Sequence, residues 1–161
     1  MLHTREMTSE GARPAERDET TTEARLDALE RQFGVMFEAF RQRQREQALM
    51  IDPALQPTGL RTVAALVYGG PTGAGPLADL LGYDKSVLSR QLHQLEELGL
   101  VTREQDPSDR RAVIISATPE AVARILAIRG HDRDAFRARL STWPRADLDD
   151  LTRLLTALYS R

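Results

Sequence analysis

The sequence predicts a mainly α fold with one small β-hairpin. Three observations point there. Apolar residues recur at steps of three and four along most of the chain, glycines and prolines interrupt them at helix-sized intervals, and one pair of β-rich runs lies between Val101 and Ala117. With 161 residues and 41% apolar side chains, the chain is long enough for one domain with a real core.

The elements follow in order. Residues 1–22 are polar, charged and aperiodic, and read as a disordered tail that buries too little surface to offset ordering entropy. Residues 23–161 read as the domain. From Glu23 onward, Leu26, Leu29, Phe33, Met36 or Phe37, and Phe40 form one stripe of a long helix ending near Gln47. Asp52-Pro53 and Pro57-Thr58-Gly59 break the chain. A second helix is expected from about Pro57 to Tyr68, carrying Leu60, Val63, Ala64 and Val67. The cluster Gly69-Gly70-Pro71-Thr72-Gly73 reads as a turn. Pro76 suits the first position of the next helix, where its missing N–H costs nothing, and Gly82 suits a left-handed cap after Leu81.

Asp84 is a good N-cap for a helix running to about Leu98 and stopping at Gly99. Two helices joined by a tight glycine-containing turn make a helix-turn-helix. The β-rich runs Val101–Gln105 and Arg111–Ala117 flank Asp106-Pro107-Ser108-Asp109, which suits a type I turn in a hairpin with a long loop. Thr118-Pro119 is an N-cap and first-turn proline opening a long helix to about Leu140. Trp143-Pro144 opens the last helix, where Leu148, Leu151, Leu155 and Leu158 again step by three and four.

Side-chain directions on the helix after Asp84 divide its residues. At 100° per residue, Leu88, Leu92 and Leu95 face inward, while Ser86, Arg90, His93 and Glu97 face outward with Ser89 and Gln94 on the flanks. Lys85, Ser86, Ser89 and Arg90 therefore crowd the exposed N-terminal half, the part of a recognition helix that reaches base edges. Arginine can donate two parallel hydrogen bonds to guanine, glutamine can pair with adenine, and Val87 can touch a thymine methyl. A solvated polar face is common on surface helices, so this face alone decides little. The hairpin adds weight, because Arg110 and Arg111 beside its turn are poorly explained as core, and an arginine there can enter a narrow minor groove. Asp109 either caps the turn or orients an arginine through a charge-assisted bond.

The stretch Leu77–Thr118 resembles the winged helix-turn-helix of the MarR (multiple antibiotic resistance regulator) family. The resemblance rests on Leu77-Ala78-Asp79-Leu80-Leu81-Gly82, Lys85-Ser86, Ser89-Arg90, Leu95-Glu96, Gly99-Leu100-Val101, and Asp106-Pro107 through Asp109-Arg110-Arg111. The order of helices fits over about residues 23–160. It implies a winged helix-turn-helix at about residues 55–118, flanked by dimerisation helices at about 23–47 and 119–160. It further implies a cytoplasmic, bacterial regulator, typically a homodimeric repressor of pseudo-palindromic duplex DNA, released by a small-molecule effector that is often phenolic. Its effector pocket would lie between the dimerisation helices and the winged helix, although Phe37, Phe40, Arg41 and Tyr68 do not identify a ligand. By the same resemblance Arg111 matches the minor-groove arginine, Asp109 its orienting partner, and Ser86, Ser89 and Arg90 the major-groove readers. Lys85, Gln94 and Arg110 complete the expected DNA-binding set. Leu26, Leu29, Phe33, Leu148, Leu151, Leu155 and Leu158 are the expected dimer interface. Two positions depart from the family: Gln91 stands where an apolar residue is usual, and Ala121 where glycine is common.

Other functions are poorly served. There is no cysteine, which excludes disulfides, thiolate metal sites and thiol redox sensing. His3, His93 and His131 have no metal-ligand spacing and read as surface residues, so neither a metal nor a cofactor is expected. No nucleophile-plus-base set appears, and Gly69–Gly75 lacks the spacing and lysine of a phosphate loop, so an enzyme is not expected. No apolar run approaches the roughly 20 residues that span a bilayer, so no membrane partner is expected. The formal charge of −2 is not that of a loose polyanion binder. It keeps one alternative open: a winged-helix protein-interaction module without specific DNA binding.

Overall fold

The computed structural model describes residues 14–107 and 112–160, with side chains from residue 21 onward. The chain divides into two units, residues 1–43 and residues 44–161. Helix α1 (Pro14–Ile51) runs through that boundary.

In the first unit, α1 presents Leu26, Leu29, Val35, Met36, Phe37 and Phe40 exposed. Phe33 and Phe37, four residues apart, stack with ring centroids 6.2 Å apart, and Glu38 pairs with Arg41 one turn on. The helix starts at Pro14, inside the stretch expected to be a disordered tail. Helix formation there follows from backbone preference: Pro14 takes the first position and the segment has no internal Gly or Pro.

The second unit holds the buried core. α1 continues past the expected end at Gln47 because Ala48 and Ile51 are 0% and 4% exposed and pack into that core. It stops where Asp52 accepts from the Ala54 N–H through its side chain at 2.7 Å, a local Asx turn. α2 (Pro57–Gly69) contributes Leu60, Val63 and Leu66; α3 (Ala74–Leu81) contributes Leu77, Ala78 and Leu81; α4 (Lys85–Glu97) contributes Leu88, Leu92 and Leu95. α3 begins two residues before Pro76, which therefore occupies its third position, where the N–H is still unneeded. Gly82 closes α3 at φ +68 and Gly99 follows α4 at φ +67, both left-handed as their positions imply.

The hairpin comprises β2 (Val101–Gln105) and β3 (Val113–Ala117), antiparallel, with Val101 opposite Ala117 and Gln105 opposite Val113. β3 begins two residues later than Arg111, and the loop closes through the Asp106 N–H bonded to the Ala112 carbonyl at 3.0 Å. A third strand, β1 (Thr72–Gly73), pairs with the other edge of β3, giving the order β1-β3-β2. It lies within the stretch read from the sequence as turn. Ile115, 2% exposed, fastens β3 to the core from the centre of that sheet.

α5 (Pro119–Leu140) starts at Thr118, whose hydroxyl accepts from the Ala121 N–H at 3.2 Å and donates to the Gly99 carbonyl at 2.9 Å. Ala121 and Ile125 are buried from α5. Arg124 donates to the last carbonyl of α1, at Ile51, over 2.6 Å and pairs with Glu120 at 2.5 Å, so α5 braces the end of α1. α6 (Arg145–Tyr159) follows α5, and none of its residues is buried. No helix among the described residues is long and apolar enough to cross a membrane.

Candidate nucleic-acid interface

α3, the turn at Gly82-Tyr83-Asp84, and α4 form the helix-turn-helix. The inner face of α4 is fixed by Leu88, Leu92 and Leu95, each 2% exposed or less. Burying each stabilises the fold by about 1.5–3 kcal/mol. That anchoring dictates what remains outside: Lys85, Ser86, Val87, Ser89, Arg90 and His93 are all exposed. Asp84 holds the N-cap backbone position (φ −63, ψ 145), but its side chain does not bond the first turn. His93 meets Glu97 at 3.4 Å one turn on, a solvated contact on the far half of the same face.

The sheet stands beside this helix. Arg103 on β2 reaches Glu96 on α4 at 3.3 Å, fixing the strand against the C-terminal half of the helix. Between them lies a cleft of about 520 Å³ whose lining includes Lys85 and Ser89 at the rim, and Leu88, Leu92 and Ile115 below. The order of elements thus brings the exposed start of α4 and the ribbon to one side of the second unit. Asp109, Arg110 and Arg111, expected at the ribbon's tip, lie outside the described residues.

One member of the expected set also bonds within the protein. Gln94 donates its side-chain amide to the Ala54 carbonyl at 3.2 Å, which ties α4 to the loop between α1 and α2. Gln91, the departure from an apolar position, meets Thr62 of α2 at 2.7 Å, and Thr62 is 0% exposed. Sequence reasoning missed Thr62, because a lone threonine in a helix does not reveal its partner. The pair had one trace in the sequence: the polar residue at position 91 on an otherwise leucine-lined edge.

The expected interface leucines are available. On α6, Leu151, Leu155 and Leu158 are 37%, 41% and 56% exposed and Leu148 is half-buried. Leu154 and Tyr159, which the stripe omitted, are exposed beside them. In the first unit Leu26 and Leu29 are exposed and Phe33 is half-buried.

A second cavity, of about 250 Å³, opens between the C-terminal part of α1, one face of α2 and the middle of α5, with Gln47, Arg61, Tyr68, Arg129 and Asp132 on its walls. The Arg129 guanidinium lies 4.3 Å from the centre of the Tyr68 ring. Gln47 donates to the Asp132 carboxylate across it. Among the described residues no three His, Asp or Glu side chains converge as metal ligands would.

The geometry agrees with what known proteins show. Residues 55–113 match the model of the MarR family. The chain is 35% identical over 83 residues to an uncharacterized HTH-type transcriptional regulator, YcgE, of Bacillus subtilis, a match over 52% of this chain and 49% of that protein. The chain spans about half the length of the curated relatives it matches. In fold it is similar to the crystal structure of RV1404 from Mycobacterium tuberculosis, with a TM-score of 0.65, 22% identity and coverage of 95% of this chain and 96% of that one. It is also similar to MepR of Staphylococcus aureus crystallised with DNA, with a TM-score of 0.60, 18% identity and coverage of 78% and 97%. The family model falls on the segment that builds α2, α3, α4 and the first two strands of the sheet, so it is the winged helix-turn-helix of this chain that is similar to the MarR family.

Proposed function

We propose that this chain is a sequence-specific DNA-binding transcriptional regulator, acting as a homodimeric repressor on a pseudo-palindromic operator and released by a small molecule. The observation that carries the reading is the start of α4. Lys85, Ser86, Ser89 and Arg90 stand exposed on a helix whose opposite face is locked in the core, beside a ribbon, in the segment similar to the MarR family. Ser86, Ser89 and Arg90 are the base readers in this account, and Lys85 contacts phosphate. Arg111, with Asp109 and Arg110, anchors the ribbon in the minor groove. The exposed leucines of α6 and the stripe of Leu26, Leu29 and Phe33 join two copies, placing recognition helices one duplex turn, about 34 Å, apart. The cavity between α1, α2 and α5 is the effector seat in this account. Two arginines and Tyr68 on its walls suit an aromatic ligand with an acidic group.

The test is a mobility-shift titration on the DNA flanking the chain's own gene, at two salt concentrations. Tight, salt-sensitive binding to an imperfect inverted repeat is expected, with a dissociation constant of about 10⁻⁸ M or below. Arg111→Ala should weaken it. Equally weak binding by the parent protein and the variant overturns the regulator reading and favours a protein-interaction module.

A further inference from the structure

Among the described residues, Thr62 is the only polar side chain that the core buries completely, and its partner sits on the recognition helix. The chemistry of the pair is well defined. The Thr62 hydroxyl lies 2.7 Å from Oε1 of the Gln91 amide and 3.1 Å from the Thr58 carbonyl one turn back on α2. A hydroxyl has one proton to give and two lone pairs to offer. The hydroxyl donates to Gln91 Oε1, the shorter of its two contacts, and the Thr58 carbonyl is its other acceptor within reach. Three residues along α4, Gln94 bonds the Ala54 carbonyl at 3.2 Å, so two directional contacts lie on one flank of the helix.

That flank adjoins the reading face. Counting 100° per residue from Leu88, Gln91 lies about 60° to one side, Gln94 about 120°, and Arg90 about 160° on the same side. The leucine stripe holds the helix against the core, yet apolar packing is non-directional and specifies rotation about the helix axis weakly. A hydrogen bond is directional and weakens as its angle departs from linear. Rotation of α4 by 10° would move an atom about 6 Å from its axis by about 1 Å, enough to spoil a two-bond contact between arginine and guanine.

We infer that the Thr62–Gln91 bond, from α2 to the recognition helix, sets the rotation of α4, making Gln91 a positioning residue for base discrimination. Gln91 touches no DNA in this account and acts through the aim of Arg90, Ser86 and Ser89. The inference rests on the proposed sequence-specific DNA binding.

The experiment compares the full-length parent with Thr62→Val, Gln91→Met and the double variant. The probes are a duplex selected by the parent from a randomised pool and a scrambled duplex of equal length. Three quantities are read: affinity for each duplex, the salt slope on the scrambled one, and the thermal midpoint. Removing both partners together leaves no polar group stranded, so the double variant should unfold within a few degrees of the parent. Its affinity for the scrambled duplex and its salt slope should hold, while the ratio of selected to scrambled affinity falls at least tenfold. Gln91→Met alone, which preserves side-chain length and leaves Thr62 its bond to Thr58, should show the same loss of ratio and guards against an unfolded double variant. If the parent discriminates and Gln91→Met keeps the ratio within twofold, the positioning role is overturned. If affinity for both duplexes falls in parallel with the thermal midpoint, Gln91 is merely structural and the inference fails. A parent that selects no sequence from the pool instead removes the DNA-binding reading on which the inference stands.

Discussion

Replacing Thr118 by alanine should loosen the junction where the helix-turn-helix, the sheet and α5 meet. The Thr118 hydroxyl serves two elements: it accepts from the Ala121 N–H at 3.2 Å and donates to the Gly99 carbonyl at 2.9 Å. Loss of an N-cap hydroxyl costs about 1 kcal/mol. The second bond adds a net 0.5–1.5 kcal/mol, and the exposure of Gly99 places it toward the lower end, because water can replace the lost donor. The total is about 1.5–2 kcal/mol, which for a chain of 161 residues lowers the thermal midpoint by about 3–8 °C. Thermal and urea unfolding followed by far-UV circular dichroism measures this, with an unchanged m-value marking a loss of stability alone. Thr118→Ser keeps the hydroxyl and should fall within about 0.5 kcal/mol of the parent, as surface changes without a lost bond do. A midpoint for Thr118→Ala within 1 °C of the parent, or serine as damaging as alanine, would refute the assignment of two working bonds.

Three further outcomes are expected. Arg90→Ala should relax discrimination at one base position by about 1–3 kcal/mol in a competition assay, whereas equal loss on every sequence would make Arg90 a phosphate contact. Leu155→Asp, at a position already 41% exposed, should convert a dimer to a monomer by analytical ultracentrifugation without loss of helicity, and a persistent dimer would move the interface elsewhere. Gly82→Ala should cost about 1–2 kcal/mol of stability through its backbone angle of +68° alone, since an added Cβ meets nothing within 4 Å; a stability equal to the parent's contradicts this.

The features legible in the sequence are those decided by local chemistry. Gly82 and Gly99 mark left-handed helix ends, and Thr118-Pro119 marks a capped start, because each is determined within one turn of chain. The split of α4 into a leucine face and an exposed polar face follows from its period alone. What escaped depends on partners distant in sequence. Thr72 and Gly73 carry no strand signal, since two residues have no period, and their pairing comes from Ile115 and Ile114 far along the chain. The extension of α1 to Ile51 depends on the pocket that receives Ala48 and Ile51. Its start at Pro14 shows the reverse case, in which helix preference acts without an apolar stripe. In the site, residue type placed Gln94 in the DNA-binding set, and its bond to the Ala54 carbonyl, forty residues earlier, could not be read from its neighbours.

The short strand at Thr72–Gly73 carries a structural consequence. Because it pairs with β3 on the side away from β2, the central strand of the ribbon has a neighbour along both edges. Its residues lie directly before α3, which begins at Ala74. The segment that launches the helix-turn-helix is therefore laced to the strand that carries the ribbon. The link between α2 and α3 reaches the ribbon through backbone hydrogen bonds that do not involve the leucine core. Helix and ribbon are thus joined by backbone pairing as well as by side-chain packing.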